Sequence, residues 1–356
     1  MTTLARPSRR TLLKHGAAAS VLLAAPAVWS SAARAATGQI TVSDVGGAVN
    51  PVLRKAFYDP FEKETGIKVV SVAQEAQPVT QIKLLVDTKS FIWDISMTTP
   101  DHVAQLTADK PYIADFDLGV SPDDFVEGAV KKNWLGFSVF GIAMAYNRET
   151  LKGAAPKSWA DFWNTAAFPG RRGLYRSPWG TLEMALLADG VAHADLYPLD
   201  VDRAFAALDK IKRDVSVWWT SGAQNTQILQ TGEVDMSDTW SARAYAAIDG
   251  GAPLEMVWSG LYSIDGWSIA NGTPRMEAAV EFIRFCARPE QQAIYSSNIA
   301  NGPSAKKAYD FITPERARVL PTAPDNVKGL SMLDSVYWGE NYDPLAERFN
   351  EWLLAG

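Results

Sequence analysis

Two hydrophobic periods take turns along this 356-residue chain. Residues 38–47 (GQITVSDVGG) alternate like a strand that runs into a glycine-rich turn. Residues 50–66 (NPVLRKAFYDPFEKETG) repeat with helical spacing, with Pro51 near the start and Gly66 at the stop. A strand at 67–74, a helix at 78–90 and a buried strand at 93–99 (WDISMTT) complete a βαβαβ order. Such an order calls for a parallel sheet with right-handed crossovers. Residues 137–151 (FSVFGIAMAYNRETL) form one extended run, longer than a typical strand. A second α/β series fills 158–256. Residues 265–271 (DGWSIAN) then read as a strand leading to helices at 274–286 and 289–298. No internal repeat or low-complexity linker interrupts the pattern. About 320 residues beyond the N-terminal segment can bury two substantial cores, so two domains are expected.

The N-terminus adds a location. Residues 1–35 combine a basic start (Arg6, Arg9, Arg10, Lys14), an alanine-rich apolar run from 16 to 29 and an Ala33-Arg34-Ala35 cleavage pattern. Residues 8–14 (SRRTLLK) resemble a twin-arginine export signal; an ordinary secretory signal is the alternative. Either implies export to a bacterial periplasm. Loss of 1–35 removes five basic and no acidic residues. That leaves 29 basic against 40 acidic side chains and moves the formal charge from −6 to −11. Such a surface repels nucleic acid and anionic membranes. No later apolar run reaches the ~20 residues of a spanning helix.

Catalytic and metal chemistry find little support. The single Cys286 lies on the apolar face of a helical pattern with Ala279, Phe282 and Ile283, which places it in a core. His102 and His193 are the only histidines after the leader, and no nucleophile–base pair or soft metal site shows by spacing. Gly46 and Gly47 precede a helix, but without the rest of a dinucleotide fingerprint. No cofactor is expected.

Several segments resemble one family. In order, and at the expected separations, they are PFEKETGIKVV, PKSWADFW…FPGRRG, TGEVDM…W, GGAPLEMVW and FIRFCARPEQQ. The chain is similar to periplasmic solute-binding proteins of ABC importers, of the spermidine/putrescine-binding type, over residues 38–355. The resemblance implies a two-lobe α/β fold, each lobe a mixed, mostly parallel sheet flanked by helices, with ligand held in the interlobe cleft. It implies lobe one at 38–142 plus 266–308 and lobe two at 143–265 plus 309–356. Hinge strands would fall at 141–143 and 266–268, with a third connection near 309. The implied partners are a small-molecule ligand and an inner-membrane permease complex, with the receptor a monomer.

Family positions then meet residues one by one. Trp240 matches a ligand-stacking Trp, and Asp265 a carboxylate that grips an ammonium group. The second acidic pair of polyamine binders should fall at 174–185, where Arg176 and Trp179 stand instead. The stretch VDMSDTWSARAYAAIDGG (234–251) predicts a strand, then a helix capped by Ser241 with Arg243 in its first turn. A cation there opposes the helix dipole. A guanidinium beside free helix N–H groups forms a carboxylate site. Arg243 and Asp265 on facing walls would select a zwitterion, γ-aminobutyrate-like; the alternative for Arg243 is an exposed pair with Asp238. Further cleft candidates are Gly46 and Gly47 as backbone donors, Thr99 and Asp101 after the WDISM strand, Ser221 at a strand end, and Trp338 in a closing C-terminal segment. A polyamine is the alternative ligand. An exported enzyme acting on a small amine is the alternative of a different class.

Overall fold

The computed structural model describes residues 38–355, apart from 48, 75 and 76. The expected leader and its cleavage site lie outside the described residues. Among the described residues eleven strands join one hydrogen-bonded sheet: β1 (Gln39–Asp44), β2 (Lys68–Ala73), β3 (Ile95–Thr98), β4 (Val130–Lys131), β5 (Trp134–Asn147), β6 (Arg172–Tyr175), β7 (Val215–Trp219), β8 (Met236–Trp240), β9 (Leu254–Ile269), β10 (Gly302–Pro303) and β11 (Leu330–Met332). The main order is β2-β1-β3-β9-β5-β8-β6-β7. The pairs β1–β2, β1–β3, β6–β7 and β6–β8 are parallel, as their helical crossovers require. The central β5 and β9 run antiparallel.

Two buried apolar clusters make this sheet a two-lobe molecule. The first gathers residues from Ile40 to Val139 and from Ile264 to Leu320, together with Ala242, around Phe137 stacked on Trp267 at 4.8 Å. The second gathers residues from Phe140 to Leu261 and from Leu333 to Phe349, around Trp159, Trp219 and Trp338. β5 has 14 residues and β9 has 16, beyond the usual 3–10, because each threads both clusters. Every residue of β5 is buried, which explains why its pattern does not alternate between apolar and polar.

The lobe crossings follow from the β5–β9 register. Val139 belongs to the first cluster and Phe140 to the second, and Phe140 pairs with Ser263. Both strands therefore change lobes at one level. Beside it the register slips: Ile142 opposes Leu261, but Met144 opposes Val257. The two extra β9 residues bulge there, with Gly260 at φ +153° and no room for a Cβ against the Ile142 carbonyl. Residues 266–268, read as a hinge, instead pair with Thr98, Met97 and Ser96 of β3 inside the first lobe. Gly266 is small because the Trp134 indole lies across it. The third passage differs as well, since Ile312 and Leu320 belong to the first cluster and Leu333 to the second. The chain changes cluster after residue 320 rather than near 309.

Candidate functional site

A cavity of about 210 Å³ opens where the clusters meet. It is smaller than the ~300–1,000 Å³ clefts that hold drug-sized ligands. Its first wall comes from the carboxyl ends of β1 and β3, where open parallel sheets place their ligands. Thr99 begins the Pro100–Thr107 helix and lines the cavity with Thr98, Asp101 and His102. His102 Nδ1 accepts from the Thr99 N–H (3.3 Å), so Nε2 carries the proton and faces Gln77 Oε1 at 3.0 Å. Burial holds His102 below its ordinary pKa and keeps it neutral, against the pull of Asp101. Asp101 Oδ2 accepts no hydrogen bond from a described residue.

The second wall is aromatic. Tyr175 stacks on Trp219 at 4.4 Å, and Trp240 meets Trp219 edge-on at 5.2 Å. Asp238 locks this cluster from behind, accepting Trp219 Nε1–H at 2.7 Å and the Tyr175 N–H at 3.1 Å. Burial pushes its carboxyl up to about 7 despite these donors. Asp238 is thus occupied, and no ion pair joins it to Arg243. Trp179 follows the Ser177 cap in a non-helical turn completed by Gly180 at φ +81°, and it lies 6.3 Å from Phe140. Both Trp179 Nε1 and Trp240 Nε1 are buried without a partner among the described residues.

Arg243 is the third residue of the Ser241–Asp249 helix, as the sequence predicts, but Ser241 is not its cap. The N-cap is Trp240, which makes no side-chain cap bond. The Ser241 hydroxyl instead accepts from the Gly141 N–H and donates to Asn301 Oδ1, both at 3.1 Å, tying this helix to the crossing strand. The first-turn N–H groups therefore stay free of side-chain capping, and such an end favours an anion. The guanidinium lies over Gly222, where an added Cβ would sit 2.8 Å from Arg243 Cζ. Among the described residues it makes no ion pair within 4.0 Å. Burial lowers the Arg243 pKa, while the nearby Tyr295 and Asp265 act in the opposite direction. Asp265, on β9 beside the crossing, is pushed up to about 7 by burial, with Arg243 pulling it back.

Thr99, Asp101, Trp179, Ser221, Trp240, Arg243 and Asp265 all line the cavity. Ser221 does so while capping the Gly222–Gln230 helix through the Gln224 N–H at 3.2 Å. Four expected residues stand elsewhere. Gly46 and Gly47 form a left-handed turn (φ +61° and +56°), and the Gly46 N–H is taken by Asp44 Oδ1 at 2.7 Å; Val45 and Val49 form the wall instead. Arg176 is exposed and outside the lining. Trp338 is fully buried in the second lobe, with Nε1 donating to Glu183 Oε1 at 2.6 Å. The sequence reading missed Phe140, Tyr175 and Tyr295, whose apolar patterns match core residues, and the amides Gln74 and Gln77, which no motif marks. Among the described residues no group of three His, Cys, Asp or Glu side chains could hold a metal.

Residues 56–322 match the family described as bacterial extracellular solute-binding proteins, and the chain belongs to that family. It is 36% identical over 331 residues to a gamma-aminobutyric acid-binding protein of Pseudomonas aeruginosa, covering 91% of this chain and 93% of the relative. It is 24% identical to the spermidine/putrescine-binding periplasmic protein of Escherichia coli, covering 75% and 79%. The crystal structure of an ABC transporter substrate-binding protein from Bradyrhizobium japonicum superposes with a TM-score of 0.83 at 34% identity, covering 89% and 99%.

Proposed function

We propose that this solute-binding family member is the periplasmic receptor of an ABC importer, and that it captures a small ω-amino acid of the γ-aminobutyrate type by closing its two lobes. One observation carries the reading: an arginine and an aspartate open onto the same cavity and are not bonded to each other. Each lacks the partner that a ligand with an opposite charge at each end would supply. The carboxylate goes to Arg243 and the uncapped helix start, with Trp179 and Trp240 N–H groups as further donors. The ammonium goes to Asp265. The relative of matching name supports the ligand class. The receptor role needs no catalysis, and turnover of ligand beyond stoichiometry would overturn it.

A polyamine is the second reading, favoured by Asp101, which places another carboxylate on the cavity. Against it stands Arg243, which an incoming polycation would have to approach without a counter-ion. Calorimetry with γ-aminobutyrate, propylamine, putrescine and spermidine separates the two. Amino acid binding well above that of the amines is expected. Tight polyamine binding with none for the amino acid would sink the proposal.

A further inference from the structure

One helix seam joins the lobes beside the cavity. The Ser335–Leu354 helix is anchored in the second lobe by Trp338, Leu345 and Phe349. The Pro100–Thr107 helix is anchored in the first by Val103 and Leu106. They meet at Gly339: a Cβ added there would lie 2.6 Å from Ala104 Cβ and 3.7 Å from the Asp101 carbonyl oxygen. Backbone thus packs directly on the Ala104 methyl group.

The seam borders the cavity. Asp101, one turn before Ala104, lines it, and so does Trp179, two residues after Ser177. Tyr342, one turn beyond Gly339, lies near Ser177 and within the electrostatic reach of Asp101. The contact therefore runs along the rim where the walls come together. Neither Gly339 nor Ala104 lines the cavity itself.

We infer that Gly339 and Ala104 form a latch made only when the lobes close, and that the absence of a side chain at Gly339 sets how far they close and so how tightly ligand is held. This rests on the proposed hinge-closing receptor but on no particular solute. A ligand can shift the open–closed equilibrium only by its differential affinity for the two states. A side chain that wedges the seam weakens every ligand alike by raising the cost of the closed state.

The test exploits the single natural cysteine, Cys286, which is buried. In an Ala104→Cys/Gly339→Cys variant the new side chains come within disulfide reach only at the closed seam, which must ease slightly toward the usual Cβ separation of about 3.5–4.5 Å. Without any ligand, the oxidised variant should have a smaller radius of gyration by X-ray scattering than the same protein after reduction. Equal radii, or no disulfide under oxidant, overturn the latch. γ-Aminobutyrate should speed disulfide formation at least fivefold. If oxidation compacts the protein but this solute leaves the rate unchanged, the latch stands and the ligand assignment fails. Gly339→Leu gains helix propensity but overpacks the seam, so its melting temperature is measured beside its affinity, and only a variant that stays folded at the titration temperature is scored. It should weaken γ-aminobutyrate binding at least tenfold, and unchanged affinity overturns the inference.

Discussion

The two walls of the cleft differ in what they leave unpaired. On the first wall, Thr98 Oγ1 meets Ser268 Oγ at 3.0 Å, Gln74 Nε2 donates to the Met97 carbonyl at 2.6 Å, and His102 is neutral and bound at both nitrogens. The charged group left over is an acceptor, Asp101 Oδ2, beside the unpartnered hydroxyls of Thr99 and Tyr295, which can donate or accept. On the second wall the groups left over are donors: the indoles of Trp179 and Trp240 and the Arg243 guanidinium. Buried polar groups normally find partners, so unpaired donors on one face point to an anion and unpaired acceptors to a cation. Asp265, on the strand between the walls, stands with the acceptors. For the proposed ligand this polarity sets an orientation: carboxylate toward the second lobe, ammonium toward the crossing.

The strongest way to break this polarity is Arg243→Ala. Removing one side of a buried charge pair costs about 2–5 kcal/mol. That corresponds to a loss of roughly 30-fold or more in affinity for γ-aminobutyrate. Propylamine, which has no carboxylate, should bind wild type and variant alike. The melting temperature of the ligand-free protein should barely move, because a cation at a helix start gains nothing from the dipole. Calorimetry with both ligands checks it. Equal amino acid affinity in the two proteins would place the carboxylate elsewhere.

Asp265→Asn tests the other pole, through pH. Ligand ammonium needs the ionised carboxylate, and burial raises that group to about 7 in the empty cleft. Below pH 7 the ligand must displace a proton, so affinity should fall by up to about tenfold per pH unit between 7 and 5.5. The Asn variant should bind about tenfold or more weakly at pH 8 and lose this slope. Stability runs the other way. A carboxyl with a raised folded pKa favours the fold at acid pH, and that contribution is lost as pH rises through the folded value. Ligand-free Asp265→Asn should therefore melt higher than wild type at pH 8, and the difference should shrink near pH 5. A flat affinity profile in wild type would mean that the ammonium is held elsewhere.

How far the site was legible follows from the same residues. Arg243 stood out because a guanidinium in a first helical turn contradicts the dipole, and Asp265 through family position. Trp338 misled because an indole near a chain end looks like a lid, whereas its N–H is spent on the buried Glu183. Gly46 and Gly47 misled because glycines before a helix suggest a ligand cradle, but here they shape a turn that Asp44 closes. Tyr175 and Tyr295 could not be found, since a ring that is nine-tenths buried and faces a cavity has the periodicity of a core ring. The strand order was readable from alternating periods. The level at which β5 and β9 cross between lobes was not, because it depends on a pairing register and a bulge that span more than a hundred residues of sequence.

Gly222→Ala sharpens the second wall with a smaller change. The new methyl would overlap the guanidinium, and that flexible end gives way more easily than the helix. The expected result is a loss of about three- to tenfold in γ-aminobutyrate affinity, with the melting temperature nearly unchanged. Unchanged affinity would show that Arg243 binds equally well from a displaced position.

The smallest effect on binding is expected at Trp338, where wall and interior separate. Its indole is fully buried and donates to Glu183 Oε1, which also accepts from the Tyr197 hydroxyl at 2.5 Å, while Glu183 Oε2 has no partner. Burial pushes the Glu183 carboxyl up to about 7, against the pull of both donors. Trp338→Phe keeps most of the packing but removes one donor and leaves space beside a buried acid. Losing a hydrogen bond of this kind costs about 1–3 kcal/mol. The variant should melt several degrees lower, and more so at pH 8, where the acid is ionised and needs its donors most. Affinity for γ-aminobutyrate should stay within about twofold of wild type, because no cavity-lining atom is lost. A variant that melts normally but binds tenfold more weakly would return Trp338 to the ligand.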